Sequence, residues 1–201
     1  MEKICVKDIS KSFGNKTVFY HLNLTINSGE IRCIMAPSGA GKTTLLRILM
    51  GLEDIDSGSI SGQKGKRFSA VFQEERLCEY MTAIENIRLV TPCLSVKTIW
   101  QELDRLGLKD CANQIVSELS GGMRRRVSIL RALLAEYDIL CLDEPFKGLD
   151  NTCKEQVLEY VKQRTTGKTV LFVTHDEEEV LQLGAKKIML SDMDTGVCQL
   201  C

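Results

Sequence analysis

The sequence predicts an α/β fold in which a parallel sheet is covered by helices, and three observations point there. A strand-like apolar run at residues 31–35 passes through a glycine-rich loop into a helical pattern. From Ile139 onward, short apolar runs alternate with segments of helical spacing. Between these halves, residues 75–135 change to a helical character. The 201 residues suffice for one well-cored domain, expected over 1–201 with a helical subdomain at about 75–135.

The elements follow in order. Residues 4–7, 18–26 and 30–35 alternate or run apolar and read as strands, punctuated by the turn pairs Gly14-Asn15 and Ser28-Gly29. A helix is expected at 43–52, and residues 58–72 suggest a short β segment ending in Ala70, Val71, Phe72 and Gln73. Apolar residues recur at helical spacing through 99–106 and 127–134. Then come a strand at 139–142, a helix near 152–164, a strand at 169–173, a helix near 176–183 and a strand at 187–190. No repeat, low-complexity segment or linker interrupts them, and no separate regulatory domain is expected.

Composition narrows the function classes. Apolar residues make up 44% and charged residues 26%, an ordinary globular balance. A net charge of −1 leaves no whole-chain footprint for nucleic acid or an anionic membrane. No apolar run approaches the roughly eighteen residues that cross a bilayer. The start, Met1 to Lys7, lacks the apolar centre of a signal peptide. A soluble, cytoplasmic chain is expected. Of its nine cysteines, Cys33 and Cys141 lie in apolar runs and are expected as buried free thiols. Cys198 and Cys201 form a C-x-x-C without the second pair or nearby histidine that zinc needs, so no metal or redox chemistry is expected of them.

The chemistry concentrates in three places. Ala36, Pro37, Ser38, Gly39, Ala40, Gly41, Lys42, Thr43 and Thr44 fit the phosphate-loop pattern G-x-x-x-x-G-K-[ST] except that alanine stands at the first glycine. Backbone N–H groups of such a loop and the positive end of the following helix hold phosphate oxygens. Lys42 then reaches the β- and γ-phosphates, and the Thr43 hydroxyl suits Mg²⁺. Alanine at 36 is tolerated if φ is negative there and costs about 1–2 kcal/mol if φ is positive. A hundred residues on, an apolar strand ends in Asp143 and Glu144 at the sheet edge where α/β folds bind ligands. Asp143 suits Mg²⁺ through water, which leaves Glu144 to orient or deprotonate an attacking water. Finally, Ser120, Gly121 and Gly122 open an apolar helix as a second anion-ready terminus.

With these residues in this order, the chain resembles the ATP-binding subunit of the ABC transporter family over almost its whole length. The resemblance implies a P-loop NTPase (RecA-like) core with an antiparallel β subdomain and a helical insertion. It casts Phe13 as the aromatic that stacks on adenine. Gln73 becomes the glutamine that contacts Mg²⁺ and water and senses a membrane partner. Leu119, Ser120, Gly121 and Gly122 match the signature, Phe146 to Asp150 the D-loop, and Thr174, His175 and Asp176 the switch histidine that touches the γ-phosphate. The family mechanism pairs two copies head to tail, so that Ser120, Gly121 and Gly122 of one cap the γ-phosphate held by Lys42 of the other.

Three positions depart from the family: Ala36 for glycine, Arg125 for glutamine, and Lys147-Gly148 for two small residues. None removes a group that does chemistry. Arg124, Arg125 and Arg126 suggest nucleic acid in isolation, but the family commonly has two arginines there and a helix surface accounts for the third. No nucleic-acid partner is expected. The resemblance implies ATP and Mg²⁺ as ligands, a second copy and an integral-membrane permease as partners, and room for a substrate-binding protein. It places the chain at the cytoplasmic face of the membrane. Residues 71–86 resemble the importer type, in particular the nitrate, sulfonate and taurine uptake group. Two alternatives stay open: a soluble ABC ATPase of cofactor assembly, and a nucleotide-binding module with little turnover.

Overall fold

The computed structural model describes residues 3–190, so the pair Cys198 and Cys201 lies outside the described residues. Two sheets build the framework. An antiparallel sheet of order β2-β1-β4 comprises β1 (Lys3–Phe13), β2 (Lys16–Asn27) and β4 (Ser57–Ser61). A parallel sheet of order β5-β6-β7-β3-β8 comprises β3 (Ile31–Met35), β5 (Phe68–Val71), β6 (Ile139–Asp143), β7 (Thr169–Val173) and β8 (Lys186–Met189). The α/β class, with a parallel core and an added antiparallel sheet, is as the sequence predicts.

The side-chain period of two in the parallel strands separates two cores. On β6, Ile139 and Cys141 face one side while Leu140 and Leu142 face the other. On β7, Leu171 and Val173 join the first side, and Val170 and Phe172 the second. The first side packs against Leu45, Leu46, Ile48 and Leu49 of α1 (Lys42–Leu49) and the inner face of the antiparallel sheet. The second packs against α4 (Gly121–Leu134), α5 (Asn151–Thr165) and α6 (Glu177–Leu183), and onward to α2 (Ala83–Arg88) and α3 (Val96–Arg105). Strands buried on both faces explain why 139–143 and 169–173 are continuous apolar runs. Cys33 and Cys141 are free and buried in this layer, and burial pushes both thiols up to about 12.

Two stretches differ from their sequence reading for physical reasons. The strand expected at 4–7 runs on to Phe13, because bulges reset the alternation beyond Val6. Asp8 and His21 both hold positive φ there (55° and 56°), and their side chains meet at 2.5 Å. The single β segment expected in 58–72 is two strands, β4 and β5, in different sheets. Its middle, glycine-rich and polar, is a turn.

The helical stretch is helices joined by turns, and each of its α-helices starts on a side-chain cap. Thr82 and Glu85 form a reciprocal capping box on α2, and Ser95 caps α3. Buried Asn86 pins the preceding turn, accepting from the Cys78 N–H at 2.8 Å and donating to the Cys78 and Thr82 carbonyls.

Candidate functional site

Parallel register brings the predicted motifs to one sheet edge. Asp143 pairs with Val173, Val173 with Ile34, and Leu142 with Val71, so the loops after β3, β5, β6 and β7 leave the same carboxyl end. These loops carry residues 36–41, Gln73, Glu144 and His175.

The phosphate loop connects β3 to α1. Ala36 does not adopt a positive φ, and its methyl packs half-buried against the core shared with α1. Alanine is therefore accommodated there. The glycines that the loop needs are Gly39 (φ 80°) and Gly41 (φ 88°). At Gly41 a Cβ would also lie 2.3 Å from Val18 Cγ1 and 2.9 Å from Phe19 Cζ, so β2 seals the back of the loop. Among the six α-helices of the described residues, α1 alone begins without a side-chain cap. Ala40 N–H bonds the Pro37 carbonyl at 3.2 Å. The other N–H groups from Ser38 to Thr43 have no acceptor among the described residues, which leaves an anion-ready helix terminus. Pro37 and Ser38 are exposed, and Thr44 is half-buried in the first turn. Lys42 Nζ folds back on the loop, donating to the Ala36 carbonyl at 2.7 Å and the Pro37 carbonyl at 3.1 Å.

Thr43 joins this loop to the end of β6, its hydroxyl donating to the Asp143 carboxylate at 2.6 Å. Asp143 is 2% exposed, and desolvation holds its carboxyl above the usual range, against the Thr43 bond that favours the ionised form. A buried carboxylate beside a hydroxyl is a hard-oxygen pair that fits Mg²⁺. The described residues contain no cluster of three or more His, Cys, Asp or Glu that would cage a metal. One or two protein oxygens completed by phosphate and water is how Mg²⁺ is commonly held, and these residues match that pattern.

Glu144 carries the site's backbone strain, with φ 47° immediately before Pro145. Its N–H bonds the Val173 carbonyl at 2.9 Å, and both carboxylate oxygens lie 3.1 Å from His175 Nδ1. His175 is otherwise exposed, on a loop fixed from beneath. Thr174 Oγ1 donates to buried Glu179 at 2.6 Å, and Lys154 Nζ bridges Asp176 (2.5 Å) and Glu179 (2.6 Å). Lys154, which the sequence reading passed over, thus ties α5 to the histidine loop. A lysine one turn into a polar helix gave no signal of that.

Other predicted residues lie apart from this edge. Ser120 caps α4 by accepting from the Met123 N–H at 3.2 Å and is exposed. Gly121 faces open space, and the nearest side-chain atom to a Cβ on Gly122 is Leu149 Cδ2 at 3.8 Å. Within one chain the signature therefore adjoins the 148–149 turn, not the phosphate loop. Asp150 caps α5, accepting from the Cys153 N–H at 3.0 Å. Phe13 is 48% exposed at the end of β1, with Lys11 Nζ 4.8 Å from its ring centre. Gln73, by contrast, is on the loop after β5 at the phosphate-loop edge itself; its side chain is exposed and its carbonyl accepts from Arg125 at 3.3 Å. The arginine run is not a basic surface: Arg125 is 3% exposed, contrary to a wholly surface placement.

Residues 19–147 match the family model described as ABC transporter. The chain is 37% identical over 202 residues to the spermidine/putrescine import ATP-binding protein PotA of Pasteurella multocida, covering 92% of this chain and 55% of that protein. It is 36% identical over 215 residues to the sulfate/thiosulfate import ATP-binding protein CysA of Pectobacterium atrosepticum, covering 96% and 64%. The chain thus spans a little over half the length of these curated relatives. A solved dimer of the ATP-binding cassette MJ0796, in a post-hydrolysis state bound to ADP and Pi, superposes with a TM-score of 0.81 at 28% identity, covering 92% of this chain and 93% of the other. A capless helix behind a glycine loop, a threonine–aspartate contact across the sheet edge and a family match spanning both lead to one conclusion: the chain belongs to the ABC transporter family.

Proposed function

We propose that this chain binds and hydrolyses ATP to power a membrane importer. The observation that carries the reading is the 2.6 Å contact of Thr43 with Asp143, which joins the phosphate loop to the strand end bearing Glu144. ATP would sit on the uncapped N-terminus of α1, with its β- and γ-phosphates drawing Lys42 off the Ala36 and Pro37 carbonyls. Thr43 and Asp143, joined by Gln73, would hold Mg²⁺, and the ion would neutralise phosphate charge. Glu144, aimed by its own strained backbone, orients or deprotonates water, and His175 beside it reaches the γ-phosphate. Phe13 stacks on adenine.

Gly121 and Gly122 support the head-to-tail pairing. The chain itself leaves Gly121 in open space and gives Gly122 ordinary contacts. Close approach of another molecule accounts for both, and the structural neighbour is a dimer. ATP between Lys42 of one copy and the signature of the other stabilises the closed pair, and hydrolysis releases it. Asp150, at the turn beside Gly122, lies at the same junction.

No helix among the described residues is long and apolar enough to cross a membrane. In this reading the transported solute passes through a permease, on whose cytoplasmic face this chain docks, with a substrate-binding protein delivering the solute. The relatives are named for importing spermidine/putrescine and sulfate/thiosulfate. The narrower affinity with nitrate, sulfonate and taurine uptake rests on residues 71–86 alone. Phosphate release from Mg-ATP by the full chain, alone and with the permease that copurifies with it, is expected to exceed that of Lys42→Ala at least tenfold. Equal release in both settings would leave a binding module without turnover.

A further inference from the structure

Arg125 stands where the family has glutamine, and the structure gives it work that a glutamine cannot do. A guanidinium has five N–H donors, and each meets a backbone carbonyl. Nε donates to Pro145 at 2.8 Å, one terminal nitrogen to Phe72 and to Gln73 at 3.3 Å, and the other to Asp143 at 3.0 Å and to Glu144. Among the described residues no carboxylate is within ion-pair distance of Arg125, so carbonyls supply its hydrogen bonds while Glu75, Asp143 and Glu144 favour its charge from further off; the side chain is 3% exposed. A glutamine has two amide donors, and a lysine three donors from one point.

These carbonyls belong to two segments that carry the reacting groups. Residues 72–73 start the loop of Gln73, and residues 143–145 carry Asp143 and the strained Glu144. The same face of α4 holds the loop further along. Ser128 Oγ donates to the Glu75 carbonyl at 3.1 Å, and Arg131 to the Glu75 carbonyl at 3.3 Å and the Arg76 carbonyl at 2.9 Å. Residues 125, 128 and 131 fall on one helical face. Helix α4 begins at the signature Ser120, Gly121 and Gly122, one turn before Arg125.

We infer that Arg125 is a positioning residue that clasps the Gln73 loop and the Asp143–Glu144 strand end to the signature helix, so that these three parts of the site move as one body. Strained backbone persists where the surroundings over-determine it. The bond to the Glu144 carbonyl, with that from Glu144 N–H to Val173, supplies the restraint. This inference rests on the proposed hydrolysis for its effect on rate, while the clasp itself is open to measurement without turnover.

The test compares the full-length wild type with Arg125→Lys, Arg125→Gln and Arg125→Ala by amide hydrogen exchange and steady-state ATP hydrolysis. Near-UV circular dichroism selects the variants that fold, and Lys and Gln keep the test alive if Ala does not. Exchange is expected to quicken in both 72–76 and 143–146 in every variant, with α1 unchanged. Displacing a reacting group by about 1 Å costs on the order of a hundredfold in rate. A ten- to hundredfold loss of kcat with KM within about twofold is therefore expected, the Gln variant retaining more than Ala. Wild-type exchange in both segments overturns the clasp. Intact kcat with a raised KM, or a Lys variant as active as wild type, overturns the positioning role. Wild-type phosphate release no greater than that of Lys42→Ala would instead remove the hydrolytic reading, and the exchange profile would then decide the clasp alone.

Discussion

At position 36 the sequence poses a question that only the backbone answers. Alanine replaces the first glycine of the loop, and its cost depends on the sign of φ, which composition does not encode. Ala36 avoids positive φ and packs its methyl on the core, so Ala36→Gly is expected to change ATP affinity less than twofold and to cost at most about 1 kcal/mol of stability. Gly41→Ala is the contrasting case. It adds about 1–2 kcal/mol of backbone strain at φ 88° and about 1–3 kcal/mol from driving a methyl into Val18 and Phe19. A large fall in melting temperature and loss of nucleotide binding are expected; a near-wild-type melt would contradict the sealed loop. Lys42 and Thr43 were legible because the motif that carries them is local in sequence, even though the Asp143 that Thr43 meets lies a hundred residues on. Arg125 was legible only as a departure, because its acceptors lie about twenty and fifty residues away.

At the scale of elements, the strands buried on both faces and the capped helices were legible because their signals are local. The strand 169–173 and the helix near 152–164 fall where the apolar spacing put them, the latter observed at Asn151–Thr165. The bulged strand β1 was read short, since a bulge breaks the alternation that identifies a strand. Long-range ties were invisible. Glu30, just before β3, bonds Lys186 of edge strand β8 at 2.8 Å and Arg32 at 2.8 Å. The Lys186 bond first, then Arg32 and Asn27, hold its carboxyl down at about 2. A depressed carboxyl stabilises the fold above its unfolded pKa of about 4.3, and that contribution fades as pH falls toward the folded value. Glu30→Gln is therefore expected to melt lower than wild type at pH 7, with the gap closing between about pH 4.5 and 2. A gap independent of pH in that window would show that the tie carries no charge-dependent stability.

For the molecule as a whole, one chain brings together the phosphate loop, Asp143, Glu144 and His175 at one sheet edge and leaves the signature elsewhere. Ser120 and Gly121 are exposed, and the contacts of Gly122 are to the 148–149 turn. On the proposed mechanism the site is completed by a second copy, with ATP as the joint. Replacing the Glu144 carboxylate by an amide keeps the size and the backbone clasp while removing the base, so ATP should bind and remain. The most direct test is the mass of Glu144→Gln by size-exclusion chromatography with light scattering, with and without Mg-ATP. A dimer with Mg-ATP and a monomer without it is the expected result, and adding Lys42→Ala to the variant should leave it monomeric in both conditions. A Glu144→Gln chain that binds Mg-ATP and stays monomeric would contradict the account.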